Sequence, residues 1–410
     1  MTPGADQTIP SHGTENVLPI VPVALVSCPD YEPSRVNDAL RRGVSLIGGL
    51  ERWVSPGTRV LVKPNLLQGL GPEKAVCTHP VVMGAVIRLI NEHGCKVTLA
   101  DSPGGGIRYT EKNLMKQYRE AGYSQLAEDP GCTLNRDTGF QLLKYKEGKV
   151  CREFPVINPF FSSDHIVVVS KAKAHILTLM TGATKNLFGL IPGLEKPLIH
   201  SRFQTGENFG DMLIDLNLAV RPSLHVADAI LAMEGDGPTS GTPRHLGVLL
   251  VSPSQLALDT ILCRLMSIDP LDVPYLSCAV RRGLCSADGK EIMLLGDPPE
   301  AFIARDFRTP RTFRGSRRGI KVSPLFRAVH RLGRIYGVRP HVEISRCTGC
   351  GKCIAICPAR AIKLIGDHAV ITTGECILCF CCHEMCSDGA IALKRSLAGS
   401  ILHMGLGWYE

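Results

Sequence analysis

The sequence predicts an α/β domain, a largely parallel sheet with flanking helices, joined to a small α+β domain rich in cysteine. Two observations carry this. Short apolar runs alternate with amphipathic stretches over roughly the first 300 residues, and eight of the 17 Cys form two identically spaced motifs near the C-terminus. Strands alternating with helices favour a parallel sheet, because each parallel connection needs a crossover long enough to hold a helix. With 410 residues, 44% of them hydrophobic, the chain can build two or three domains around a sizeable core. Disorder is excluded as the overall state.

The elements follow in order. Strands are expected over Val23 to Ser27, Arg59 to Val62, Lys96 to Ala100, Ile166 to Val169, Leu224 to Ala227, Gly247 to Val251 and Ile292 to Leu295. Helical periodicity marks Val36 to Trp53, Pro80 to His93, Thr110 to Ala121 and Ser254 to Ser267, the last behind a Ser-Pro start signal.

Polar residues gather just after the strands. Lys63 and Asn65 stand in VKPN, Asp101 and Ser102 in ADSPGGG, and Lys171, Lys173 and His175 in SKAKAH, while Asp228 and Ser252 follow later strands. Ligands of open α/β sheets bind beyond the carboxyl ends of the strands, so one shared site is expected there. Strand alternation puts Lys171 and Lys173 on one side, where two ammonium groups repel unless an anion or acid lies between them. The following segment, TGATKNLFGLIPGLEKPLIHSRF, carries Lys185, Asn186, Lys196, His200 and Arg202. It lacks the Walker order of Gly, Lys and Ser or Thr, yet a basic, glycine-rich loop can hold phosphate or carboxylate. A solvated surface loop is the competing reading. Gly104, Gly105 and Gly106 do not form G-x-G-x-x-G, and nearby Asp101 opposes an anion. Glu234 and Asp236 in MEGDGPTSG are candidates for a cation or for acid and base chemistry; Asp259 is equally a structural cap, and His79 is a third histidine candidate after His175 and His200.

The C-terminal runs are CTGCGKCIAICP and CILCFCCHEMCS. Each has the C-x2-C-x2-C-x3-C spacing of bacterial two-cluster ferredoxins, in which the fourth cysteine of each run ligates the other cluster. One [4Fe-4S] cluster is therefore expected on Cys347, Cys350, Cys353 and Cys386, and a second on Cys376, Cys379, Cys382 and Cys357. Soft thiolates suit iron and sulfide. Zinc knuckles are the competing reading, and the doubled spacing weighs against them. Ala361-Ile362 and Ala390-Ile391 follow the two runs in matching positions, as an internal repeat would place them. Ser387 replaces the proline found after the first run, and Cys381 is read as a small buried residue or spare thiol beside Cys382.

Cysteine at about 4% is well below a disulfide scaffold. No secretory signal is readable at the N-terminus and no run of about 18 apolar residues is present, so a soluble protein of the reducing cytoplasm is expected. The net charge of +8 has one source: residues 305–339 hold eleven Lys or Arg against a single Asp. This connector includes SPLFRAVHRLGRIYGV, which has the spacing of a basic amphipathic helix. A solvated or packing linker, a redox-partner dock and a membrane-surface contact compete there, and nucleic acid is disfavoured. The expected domains are 20–300 (α/β), 301–340 (basic linker), 341–395 (two-cluster ferredoxin type) and 396–410 (short tail).

The motifs VKPN, ADSPGG, SKAKAH with TGATKNLFG, and AMEGDGP together resemble the family called domain of unknown function 362 over roughly residues 20 to 300. The resemblance implies an α/β domain often fused to ferredoxin modules and assigns no reaction. Three functions follow. The first is an iron–sulfur oxidoreductase passing electrons through two clusters to a small anionic substrate or cofactor, held by Lys63, Asn65, Asp101, Lys171, Lys173, His175, Lys185, Asn186 and His200. The second is a non-catalytic carrier or accessory subunit docking a redox partner protein. The third is a non-redox, metal-dependent enzyme with structural clusters.

Overall fold

A computed structural model describes residues 18–104, 107–203, 205–310 and 338–395. The expected amphipathic helix of the connector and the C-terminal tail lie outside the described residues. Strand β1 (Val21–Ser27) turns Val23 and Leu25 to one core and Ala24 and Val26 to another, so both faces of the sheet are covered. The remaining strands of the large domain are β2 (Arg59–Lys63), β3 (Lys96–Leu99), β4 (Cys132–Leu134), β5 (Phe140–Lys144), β6 (Glu153–Ile157), β7 (His165–His175), β8 (Leu179–Thr181), β9 (Leu224–Glu234), β10 (Thr242–Ser252) and β11 (Ile292–Gly296). Among the described residues the main sheet runs β11-β1-β10-β9-β7-β2-β3-β4, with β8 on β7 and a separate β5-β6 hairpin.

Pairing is parallel from β9 through β7, β2 and β3 to β4, and again between β11 and β1. Strand β10 is antiparallel to both β1 and β9. The sheet is therefore mixed, and Ser252, at the end of β10, lies at the edge opposite the ends of β2, β3, β7 and β9. Its hydroxyl bonds Pro22 O at 2.8 Å, a structural role that removes it from the expected shared site.

Helices Pro33–Leu46, Pro80–Glu92 and Glu111–Glu120 cover one face, and Gly206–Val220, Gln255–Leu265 and Pro274–Arg281 the other. Caps set their starts: Thr110 and Ser254 accept from backbone N–H groups, and Pro33 and Pro80 occupy first-turn positions where no donor is needed. The first helix ends before the expected Trp53, because Gly48 and Gly49 take φ of +101° and +90°. Helix Gly206–Val220 escapes periodicity, since it is buried around most of its circumference.

The C-terminal module pairs β12 (Val338–Val342) antiparallel with β15 (Ile391–Arg395) and β13 (Ile362–Ile365) with β14 (His368–Ile371). Short helices Lys352–Ile356 and Cys381–Glu384 lie within its two cysteine runs. The repeat is visible in hydrogen bonds: Ala361 N–H reaches Cys357 Sγ at 3.2 Å and Ala390 N–H reaches Cys386 Sγ at 3.1 Å.

His225 on β9 is fully buried, and neither ring nitrogen has a partner. Burial lowers its pKa to about 3, so the ring is neutral in the fold. The unfolded chain binds a proton below about pH 6.5 that the fold refuses, so stability is lost as pH falls from there toward 3. His225→Leu should raise stability by about 1–3 kcal/mol at neutral pH by removing unpaired polar atoms. It should also flatten the acid limb by up to about 1.4 kcal/mol per pH unit. Anaerobic chemical denaturation between pH 5 and 7.5 measures both; a destabilised variant with an unchanged acid limb contradicts the assignment.

Candidate functional site

The cysteine runs fold into two neighbouring groups. Cys347, Cys350, Cys353 and Cys386 line one hollow together with Thr348, Lys352 and Asp388. Burial raises the Cys353 thiol to about 11, and Cys350, Cys386 and Cys347 beside it add to the shift. Cys382 is likewise pushed up by burial and by Cys379, Cys376, Cys353 and Cys357 around it. Clustered thiols of this kind ionise readily only when a cation compensates them. Backbone N–H groups of Ala361, Ala369 and Ala390 point at Cys357, Cys347 and Cys386 Sγ, as donors to iron–sulfur ligands do. Among the described residues, no three His, Cys, Asp or Glu converge as ligands of a single ion. A cubane spreads its four thiolates over four irons, whereas zinc draws them onto one centre. The donor set fits iron–sulfur ligation. Ser387 accepts from Lys352 Nζ at 3.1 Å, tying the two runs together.

The lysines beyond the strand ends differ in their partners. Lys63, on β2, is buried with Asp101 Oδ1 at 3.1 Å and Asn186 Oδ1 at 3.1 Å. Lys171, on β7, meets Asp228 Oδ2 and the Tyr31 hydroxyl, each at 2.8 Å. Burial lowers both lysines, and their carboxylates oppose it. Lys196 Nζ has four oxygens in reach, from Ser102 O and Oγ, Pro103 O and Ile191 O, at 2.6 to 3.0 Å. Burial pulls it toward about 7, while that shell favours the ammonium form, whose three protons it saturates. Lys173 Nζ donates to Asn65 Oδ1 and Val76 O, both at 2.8 Å, and has no carboxylate partner among the described residues. Burial, with the cations Lys185 and Lys171 nearby, lowers it to about 7. Lys185 has no hydrogen bond or ion pair among the described residues and lies 6.0 Å from the Phe188 ring.

A cavity joins these groups. It is walled by Asn65, Asp101, Lys173, Thr181, Lys185, Asn186, Lys196 and His200 from the α/β domain and by Ile356, Cys381, Glu384 and Met385 from the module. Glu384 reaches to 3.2 Å from His175 Nε2. His175 Nδ1 accepts from Leu177 N–H at 3.0 Å and Thr178 N–H at 3.3 Å, which places the ring proton on Nε2, toward Glu384. Burial lowers His175 to about 3 and His200 to about 4. Burial works to raise Glu384, but His175, His200 and Lys185 outweigh it and hold the carboxyl well below the usual range. Thr239 Oγ1 bonds Glu384 O at 2.7 Å and Ser240 Oγ bonds Cys386 O at 3.1 Å, so the β9–β10 turn clamps the module. Gly104 is required here, since a Cβ would sit 2.8 Å from the Leu67 backbone oxygen as well as 2.9 Å from Met385 Sδ.

Of the residues expected at one site, Asn65, Asp101, Lys173, Lys185, Asn186 and His200 line the cavity, with Lys63 and His175 touching its wall residues Asp101 and Glu384. Lys171 is the exception. Its partner is Asp228, not a ligand; it leaves the same face of β7 as Lys173, opposite Ala172 and Ala174, and an acid answers it as that shared face requires. Glu234 is paired with Arg308 at 2.7 Å, Asp259 caps Ala183 N–H and Thr184 N–H, and His79 stacks on Tyr31 at 3.6 Å. Sequence reasoning missed Thr181, Glu384 and Met385 as wall residues; the TGATKN run and the interior of the second cysteine run were the only signals. Cys381 faces the cavity as a buried thiol.

Removing Lys171 strands Asp228 in the core. Lys171→Met should cost about 3–5 kcal/mol, and the double variant Lys171→Met with Asp228→Leu should cost clearly less than the two single changes summed. Anaerobic denaturation of the holoprotein measures both; a loss under about 1 kcal/mol for Lys171→Met contradicts the structural role.

Residues 339–362 match a 4Fe-4S binding domain, which makes this an iron–sulfur protein. A solved lactate racemase apoprotein from Thermoanaerobacterium thermosaccharolyticum is similar at 13% identity with a TM-score of 0.39, over 64% of this chain and 59% of that one. A thylakoid-associated protein of Synechocystis sp. is 31% identical over 312 residues, spanning 72% of this chain and 92% of the relative. Residues 60–264 match the model of the domain of unknown function DUF362; the chain belongs to that family.

Proposed function

We propose that this protein is an iron–sulfur oxidoreductase that carries electrons through two [4Fe-4S] clusters to a small anionic substrate or cofactor in the cavity. The observation that carries the reading is the shared wall: Ile356, Cys381, Glu384 and Met385 each adjoin or lie within two residues of a cluster cysteine and line the same space as Lys173, Lys185 and His200. When bound, the clusters supply one-electron transfer, refilled by an external redox protein.

The chain's own groups do the rest. Lys63, Lys185 and Lys196 outnumber Asp101 and Glu384 around the space; Asp101 is paired with Lys63, and Glu384 lies against His175. The surplus cationic character holds an anion and stabilises charge that builds up during reduction. The buried Thr181 hydroxyl, without a partner among the described residues, is the proton-bearing group at the ligand space, and His175 stands behind it with its Nε2 proton toward the wall residue Glu384. The module walls the cavity on one side through Ile356, Cys381, Glu384 and Met385.

Anaerobic protein photoreduced in the absence of partners should be reoxidised by members of a panel of small carboxylates and oxyanions, followed by visible bleaching and electron paramagnetic resonance. Lys185→Met should slow that reoxidation by about tenfold or more, from the loss of about 1.5–3 kcal/mol of charged hydrogen bonding, with the cluster signals unchanged. Protein that stays reduced with every small anion and reoxidises only with a partner protein is a carrier, and the oxidoreductase reading fails.

A further inference from the structure

The cavity lysines are not equivalent in valence. An ammonium has three protons to place and a neutral amine has two and a lone pair. Lys63 and Lys171 have carboxylates, and Lys196 has four oxygens. Lys173 has two neutral acceptors at 2.8 Å and no carboxylate among the described residues. Two N–H bonds to Asn65 Oδ1 and Val76 O use both protons of an amine, which leaves the lone pair as the remaining tetrahedral direction at a side chain that lines the cavity.

Two neighbours complete the arrangement. Thr181 is the cross-strand partner of Lys173 in the β7–β8 pair, so both side chains leave the same face. Thr181 is 3% exposed and its hydroxyl has no partner. Lys185, unpaired among the described residues, lines the same cavity, where burial lowers its basicity and Glu384 opposes that by favouring the ammonium form. The cavity volume is about 60 Å³, room for about four to six waters and so for a ligand of a few heavy atoms.

We propose that Lys173 is a nucleophile that captures a small 2-oxo acid as an imine, with Lys185 holding the carboxylate and Thr181 the carbonyl oxygen. This rests on the reading of the cavity as the ligand site and adds the class of ligand. The Lys173 lone pair attacks the carbonyl carbon and a C–N bond forms. One amine proton moves to the oxygen to give the carbinolamine, and the C–O bond then breaks as the remaining amine proton leaves with that oxygen as water. No oxidant or reductant is consumed. The lowered basicity of Lys173 supports the step, since a desolvated lysine beside other cations is a nucleophile at neutral pH.

Oxidised holoprotein, with no electron donor, is incubated with pyruvate and sodium cyanoborohydride, digested, and mapped by mass spectrometry. Hydride reduces the imine to a stable secondary amine. Lys173 should be labelled on the order of a hundredfold faster than other lysines, because an ordinary lysine is unprotonated in only about one molecule in a thousand at pH 7. Thr181→Val should slow labelling by about tenfold, and acetone, which lacks the carboxylate, should label about tenfold less or worse. Lys173→Gln should abolish labelling at this site; if that variant does not fold, the wild-type map still decides. No adduct, or labelling spread over surface lysines without enrichment at Lys173, overturns the proposal, and equal labelling by acetone overturns the 2-oxo acid. The reaction draws no electrons from the clusters. Its failure is therefore separate from failure of the reoxidation experiment.

Discussion

A buried ammonium group must find a partner or give up its proton, and this constraint organises the whole edge of the sheet. Four lysines, 63, 171, 173 and 196, are buried there. Asp101 and Asp228 answer the first two, and a shell of backbone and serine oxygens answers Lys196. Lys173 is left with neutral acceptors, and Lys185 beside it is left unpaired among the described residues. The pairing separates structure from chemistry: what the fold has already neutralised holds the strands together, and what it has not is directed at the cavity.

The same constraint explains why the cysteine module sits where it does. Glu384 descends from the helix between Cys382 and Cys386 to His175, whose other nitrogen is committed to the turn after β7. Thr239 and Ser240, from the turn of the β9–β10 hairpin, bond the carbonyls of Glu384 and Cys386, and Ile356, Cys381 and Met385 pack against Ile107. Polar clamp and apolar contact together set a cysteine-bearing helix over the cationic space. Neither part closes it alone.

The cysteine runs were legible in the sequence because thiolate spacing is local: four ligands within eleven residues leave little freedom. The strands were legible because a sheet covered on both faces needs continuous apolar runs, as in β1 and β7. The fold also departs from simple alternation where long-range pairing intervenes. Strand β10 runs antiparallel because a short hairpin, not a crossover, joins it to β9, and this moves Ser252 to the far edge. Asp228, more than fifty residues from Lys171, takes that lysine out of the site, and nothing local to SKAKAH announces it. Thr181 and Glu384 were silent for a related reason. A threonine in a glycine-rich run and a glutamate inside a cysteine run look ordinary until the two domains meet.

The central claim is that iron–sulfur chemistry and the cationic cavity share a wall. Anomalous diffraction at the iron edge from crystals of anaerobically purified protein tests it most directly. The account predicts two groups of irons, one on Cys347, Cys350, Cys353 and Cys386 and one on Cys357, Cys376, Cys379 and Cys382, with Cys381 and Glu384 between the second group and Lys185. A single group of irons, or irons with the module turned so that Glu384 and Cys381 face away from Lys173 and Lys185, would contradict it.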